Sequence, residues 1–304
     1  MEDKISLYTY HSYASCIGEG FRFLAKHLLL AVKVLMPYYC IVAILSVLSY
    51  SVNMALNVSE IAGEMVCVSG MLVAVVIYIL AYVAGVLANG RLFLMFRRLV
   101  GVESMHTTLA RTLQLAWRSA PYTIWGLVIY FLHTLISALY NFDIEQISPA
   151  YLITAAIIFL VLGIIAVVFA APLAYSYYCR MMEPSMIDVS TEEGREMKKA
   201  FSFNNAYKKG FNHKGKILGV LVLSAFLFFV FSVIILLPCV VSAQTYLSSM
   251  ESRLNFGDTV IIPMTGYILM FLASVLSVTF VNMLSVAMYA SMLYLHGDIY
   301  SSEK

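Results

Sequence analysis

The sequence predicts an all-α integral membrane protein. Its six transmembrane helices are arranged as three repeats of an interfacial amphipathic helix plus a helical hairpin. Three observations lead there. Hydrophobic residues make up 62% of the 304 residues and charged ones 12%, with a mean hydropathy of +0.86; soluble domains run near half apolar and about a quarter charged. Six apolar runs reach the roughly 20 residues that a helix needs to cross hydrocarbon. The basic residues are segregated to alternate loops.

In chain order the runs are Val34–Met54, Val66–Gly90, Pro121–Tyr140, Tyr151–Tyr178, Ile217–Leu237 and Val260–Leu295. Inside lipid a backbone must satisfy its own hydrogen bonds, and the alternation of a β-barrel is absent, so helices are expected. The second, fourth and sixth runs exceed the bilayer, which predicts tilt or extension past the headgroups. Glu2, Asp3 and Glu19 precede the first run, a pattern unlike a cleavable signal peptide. The first span is therefore expected to be an uncleaved anchor.

Orientation follows from lysine and arginine placement. The loops after odd-numbered spans are Ala55–Met65, Asn141–Ala150 and roughly Gln244–Thr259. They carry one base, Arg253, against Glu60, Glu64, Asp143, Glu145, Glu251 and Asp258. The other bases lie on the opposite side, so both termini are expected in the cytoplasm.

Each odd-numbered span is preceded by an amphipathic segment. In Cys16–His27, Ile17, Phe21 and Leu24 fall on one face and Glu19, Arg22 and Lys26 on the other. In Leu109–Ser119 the faces are Leu109, Leu113, Ala116 and Arg111, Gln114, Arg118. In the third, Ala200, Phe203, Tyr207 and Phe211 oppose Asn204, Asn205, Lys208, Lys209 and Asn212. Upstream, Ser190 with Glu193 reads as a capping box. One register superposes Glu19, Arg111 and Asn205, at spacings of 92 and 94 residues. Such periods take priority over local patterns. The chain is thus expected to be one membrane domain over 1–304, with repeats at approximately 12–98, 107–182 and 190–296.

The stretches "FNNAYKKGFNHKGKILGVLVL" and "LARTLQLAWRSAPYTIWGLVI" carry a resemblance of layout. The chain resembles bacterial six-span membrane proteins of the glycerophosphoryl-diester-phosphodiesterase membrane-domain type and their relatives, over roughly residues 12–296. The resemblance implies the six-span fold and a bacterial cytoplasmic membrane. It brings no catalytic residues to this sequence, and the soluble phosphodiesterase domain is missing from it.

Polar residues inside spans mark function by default. His133 stands in the third span, three residues after Tyr130 and eight after Trp125. It reads as a proton-linked or ligand-contacting histidine, or as one that bridges helices. Asn89 and Asn282 read as a pair for a polar substrate, or as helix-bridging amides. No apolar run contains an aspartate or glutamate, which argues against intramembrane aspartyl chemistry. HExxH, GxSxG and GxxxxGK[ST] are absent, and no catalytic residue is assigned. The six histidines are scattered and the five cysteines form no CxxC pair, so neither a metal nor a cofactor is expected.

The basic side holds Arg22, Lys26, Arg97, Arg98, Arg111, Arg118, Lys208, Lys209, Lys214 and Lys216. These read as contacts to anionic headgroups, or as topology signals alone. A net charge of +2 and the absence of a binding motif argue against nucleic acid. The expected partners are membrane lipids, and a protein partner or a second copy of the chain. The sequence thus favours a non-enzymatic multi-pass protein that engages lipids or partners at the cytoplasmic face and organises the membrane. The alternative is a transporter for a small or amphiphilic molecule.

Overall fold

The computed structural model describes residues 12–61, 68–102, 109–123, 169–184, 190–255 and 264–301, and every regular element among them is helical. Helices α1 (Tyr13–Lys26), α2 (Leu28–Ile61) and α3 (Val68–Val100) come first. The helical stretches 109–123 (α4) and 169–182 (α5) follow. Then come α6 (Glu192–Ala200), α7 (Phe203–Asn212), α8 (Lys214–Asn255) and α9 (Met264–Ser301).

Among the described residues, four helices are long and apolar enough to cross a membrane, over Leu28–Val52, Val75–Val100, Lys214–Ser242 and Ile268–Tyr300. Their flanks are apolar and exposed, as at Leu72, Val76 and Ile79 of α3 and Phe226, Phe229 and Ile234 of α8. Soluble proteins do not leave apolar surface on this scale open to water; hydrocarbon covers it. The runs expected at Pro121–Tyr140 and Tyr151–Tyr178 lie mostly outside the described residues, which include only their ends, 121–123 and 169–178.

The helices outrun their apolar cores. Of the expected loops, Ala55–Met65 is helical to Ile61 and Gln244–Thr259 to Asn255. An apolar run ends where lipid contact ends. A helix can continue beyond it, and between Pro238, which lies inside α8, and Gly257 no proline or glycine occurs. At 1.5 Å per residue the 42 residues of α8 reach about 63 Å, twice the hydrocarbon thickness.

Two elbows share one geometry. His27 alone separates α1 from α2, with φ −108° and ψ 18°. His213 alone separates α7 from α8, with φ −104° and ψ 20°. Each backbone N–H still donates to the carbonyl four residues back, Phe23 and Lys209, so the chain turns without losing that bond. The segment before α7 differs from expectation. Its predicted single helix is broken at Phe201–Ser202, and the cap of α6 is Thr191, whose hydroxyl accepts from Gly194 N–H at 3.1 Å, rather than Ser190. The side chain of Asn205 donates to the Lys199 carbonyl at 2.8 Å and ties the two short helices together.

The core sits at the end of the bundle that carries the bases. There α3 is buried without interruption over Leu92–Arg97, α5 over Tyr175–Cys179 and α9 over Ala290–Ile299. A helix buried on every side is surrounded by other elements, so these three ends form the centre. Aromatic rings join them: Phe93 meets Tyr177 and Tyr178 at 5.2 and 5.4 Å, edge-on, and Tyr289 at 6.1 Å. Each such pair contributes about 0.5–1.5 kcal/mol beyond area burial.

Three shorter helices pack on this centre through small residues. Gly20 of α1 lies against α9, where a Cβ would stand 2.5 Å from the Ala287 carbonyl oxygen. Gly90 of α3 lies against α4, 2.7 Å from the Thr112 carbonyl. Gly210 of α7 lies against α5, 2.7 Å from Pro172 Cα. Backbone on the far side cannot yield, so Gly20→Leu and Gly210→Leu should each cost about 1–3 kcal/mol by overpacking. Gly18, with nothing within 4 Å of its Cβ position, is the control: Gly18→Ala should gain up to about 1 kcal/mol of helix propensity. Thermal unfolding of the purified variants in one detergent measures both. Equal stability of the leucine and alanine variants would contradict the close approach.

Candidate functional site

Helix α9 continues past its apolar run. Beyond Leu295 it carries His296, Gly297 and Asp298 to its end at Ser301, and His296 and Asp298 are buried. Asp298, 1% exposed, thus lies three residues beyond the sixth apolar run, on the continuation of the same helix. An isolated buried carboxylate is costly, and a partner offsets that cost. Lys216, at the foot of α8, supplies it at 3.7 Å. A second ion pair, Arg118 with Glu183 at 3.3 Å, joins the end of α4 to the residues just after α5.

His296 Nδ1 lies 3.7 Å from the Cys179 sulfur of α5. Its ring packs against Tyr175 at 5.4 Å and Tyr300 at 6.4 Å. Cys16 of α1 also feels the charge of Asp298. Burial, and then the negative charge of Asp298, push its thiol up from 9.0 to about 11. The protonated thiol therefore contributes stability that is fully present below pH 9 and lost as pH rises through about 11.

A cavity of about 80 Å³ opens where the three central helices end. Val102 follows α3, Met182 closes α5, and His296 and Tyr300 belong to α9; Met197 and Phe201, from α6 and its C-cap, form the roof. The wall is mainly apolar, with an imidazole and a phenol on one side. Cys179 stands behind the imidazole and is not part of the wall. The arrangement is therefore suited to binding. A nucleophilic role would need a thiol that reaches the cavity.

Arg97 does not face headgroups. It is 2% exposed, and its guanidinium donates to the Met181 carbonyl at 3.2 Å. Sequence reading took Arg97 and Arg98 alike as surface bases, but adjacent helical residues point about 100° apart, and Arg97 takes the inward position. Arg98 is half-buried. Arg22 and Lys26 are exposed, Arg22 paired with Glu19. Arg111 is half-buried and donates to Gln114 at 3.0 Å. Lys208 and Lys214 are exposed, with Lys214 4.3 Å from the Phe211 ring centre. Lys209 and Lys216 are half-buried, Lys209 lying 6.0 Å from the ring centre of Tyr300.

The intramembrane candidates are not brought together. His133 lies outside the described residues. Asn89 hydrogen-bonds Tyr289. Asn282, seven residues earlier on α9, is about 10 Å away along the axis, and its amide nitrogen is buried with no hydrogen-bond partner. His296 and Asp298 lie just past the sixth apolar run, which ends at Leu295, and Cys179 just past the fourth, which ends at Tyr178. The stripe Tyr289, His296, Tyr300, at i, i+7 and i+11, was the signal that pointed past that limit.

Comparison of the chain with protein-family models, curated proteins and solved structures finds no match in any of the three. The geometry alone therefore sets the tests. In a variant whose other four cysteines are alanine, alkylation of Cys16 should keep accelerating past pH 9 and level off near 11. Its thiolate fraction at pH 8 should be about 100-fold below that of a thiol with a pKa of 9. Asp298→Asn should move the inflection down. An inflection near 9 that ignores residue 298 would contradict the placement of Cys16.

Proposed function

We propose that the chain is a six-span protein of the bacterial cytoplasmic membrane, with both termini in the cytoplasm. It consists of three units near 12–98, 107–182 and 190–296. Its role is to engage anionic lipid headgroups, or a partner protein, at the cytoplasmic face.

One observation carries this reading: α4 and α7 pack on the protein mainly through small residues, with Leu115 of α4 as a larger exception, and turn other apolar side chains outward, among bases. In α4, Thr112 and Ala116 are buried, while Leu109, Leu113 and Trp117 are exposed, Trp117 at 81%. In α7, Ala206 and Gly210 are buried, while Phe203 and Phe211 are exposed and Tyr207 half-buried. Tryptophan and other aromatics favour the headgroup level, and a helix with this pattern lies in the interface plane. Arg111, Lys208 and Lys214 flank these faces, where each base contributes about 1 kcal/mol toward anionic lipid.

The same positions support the three units. The register that aligns Arg111 with Asn205 also aligns buried Thr112 and Ala116 with Ala206 and Gly210. The elbows at His27 and His213 match in it as well. Each amphipathic helix rests on the returning span of the preceding unit, α4 on α3 and α7 on α5, and α1 closes the cycle on α9. Transport would need an open polar path near Asn89. At that level Tyr289 occupies Asn89, and Phe93, Tyr177 and Tyr178 fill the centre, which favours lipid contact over transport.

Native mass spectrometry of the full chain released from bilayers of mixed anionic and neutral lipid tests the reading. Wild type should retain anionic lipid preferentially, and less so as salt rises. Lys208→Gln and Lys214→Gln should each weaken that preference about fivefold. Equal retention of both lipids at low salt would rule the reading out.

A further inference from the structure

Several arginines at this end of the bundle have partners in the protein. Arg22 pairs with Glu19, Arg97 with the Met181 carbonyl, Arg111 with Gln114 and Arg118 with Glu183. Exposed arginines such as Arg195 on α6 are served by water. Arg91 of α3 fits neither case. It lies within the apolar stretch Val75–Val100 and is half-buried. Its Nε is shielded from solvent and unbonded, and among the described residues no hydrogen bond or ion pair engages the guanidinium. A guanidinium carries five donors and no acceptor, and leaving one without a partner in a span is costly.

Its place on α3 shows which side supplies the partner. Asn89 and Phe93 face α9 and the aromatic centre. Arg91 is turned about 200° from Asn89, so it points away from that centre. Leu80, Ala84 and Leu87 stand on the same line, at i−11, i−7 and i−4. Leu80 is exposed, and Ala84 and Leu87 are half-buried. The depth is fixed by the neighbouring residue: Gly90 packs on α4, where a Cβ would stand 2.7 Å from the Thr112 carbonyl. Arg91 is therefore level with α4. From Arg91 back to Leu80 the stripe is about 16 Å long, close to half of the roughly 30 Å of hydrocarbon in a bilayer.

We propose that Arg91 holds the phosphodiester of one phospholipid of the cytoplasmic leaflet, whose acyl chain lies along Leu87, Ala84 and Leu80. The planar guanidinium grips two phosphate oxygens at once. The phosphodiester is common to neutral and anionic phospholipids, so the site selects phosphate and not net headgroup charge. A half-buried pair of this kind is screened little by salt. The inference rests on the lipid-contact reading in placing α4, and with it Arg91, at the cytoplasmic headgroup level. It differs from the contacts of α4 and α7 in its indifference to headgroup charge and to salt.

The test uses the full chain reconstituted in nanodiscs of phosphatidylcholine, a lipid without net charge. Native mass spectrometry after gentle release should find one phosphatidylcholine retained per chain, equally at low and high salt. Diacylglycerol with the same acyl chains should not be retained, and inorganic phosphate should not displace the phospholipid. Arg91→Gln should weaken retention about tenfold. Arg91→Lys keeps the charge without the fork and should weaken it less. The comparison of phosphatidylcholine with diacylglycerol uses wild type, so it decides the matter even if Arg91→Gln does not fold. Equal retention of diacylglycerol, loss of phosphatidylcholine at high salt, its displacement by inorganic phosphate, or unchanged retention in Arg91→Gln would each overturn the proposal. Lys208→Gln with Lys214→Gln separates the two ideas, because it should remove the preference for anionic lipid and leave phosphatidylcholine retention intact.

Discussion

Helices in a bilayer gain little from hiding apolar side chains from one another, because lipid tails are as apolar as leucine. What holds them is close packing and a few polar contacts. Here that packing is concentrated at one end, where Phe93 meets Tyr177, Tyr178 and Tyr289 edge to face. The rest of the structure depends on this aromatic centre. The outer helices need only approach it closely, and they do so at Gly20, Gly90 and Gly210. Elsewhere the long helices present their sides to lipid.

The same centre explains why charge can be buried beside it. The helices end here, so carbonyl groups and neighbouring chain ends are within reach of side chains. Arg97 uses the Met181 carbonyl and Asp298 uses Lys216. The imidazole of His296 sits between Cys179 and the cavity. Charged and imidazole groups gather at this depth because partners from several elements exist here. That gathering gives the cavity under α6 a polar side, His296 and Tyr300, facing an apolar one.

Much of the fold was legible in the sequence. The apolar runs locate α2, α3, α8 and α9, since twenty residues without charge have no other place to go. The amphipathic segments before α2 and α8 were legible as well; in α1 the expected face packs inward, with Ile17 buried and Phe21 and Leu24 against the core, but in α7 it does not. In α7 the aromatic residues look like the buried side. The structure instead buries Ala206 and Gly210, because close approach to Pro172 and Tyr175 requires small residues. Periodicity tells that a helix has two sides, and only its neighbours decide which side packs. Arg97 illustrates the same limit: two adjacent arginines are equivalent in the sequence, yet one is buried and the other half-buried. His296 and Asp298 were lost for a different reason. Hydropathy marks where lipid ends, while the helix and its polar end continue.

The meeting of α5 and α9 at this centre is tested most directly by a disulfide. Cys179 and His296 approach within 3.7 Å, so His296→Cys in a chain whose other cysteines are alanine should form an intramolecular bond with Cys179. Oxidation in native membranes, followed by mass spectrometry of the linked peptides, reads the result. The structure predicts one cross-link joining the two helices within a single chain. Two thiols that remain separate under oxidation and react independently with an alkylating reagent would contradict it.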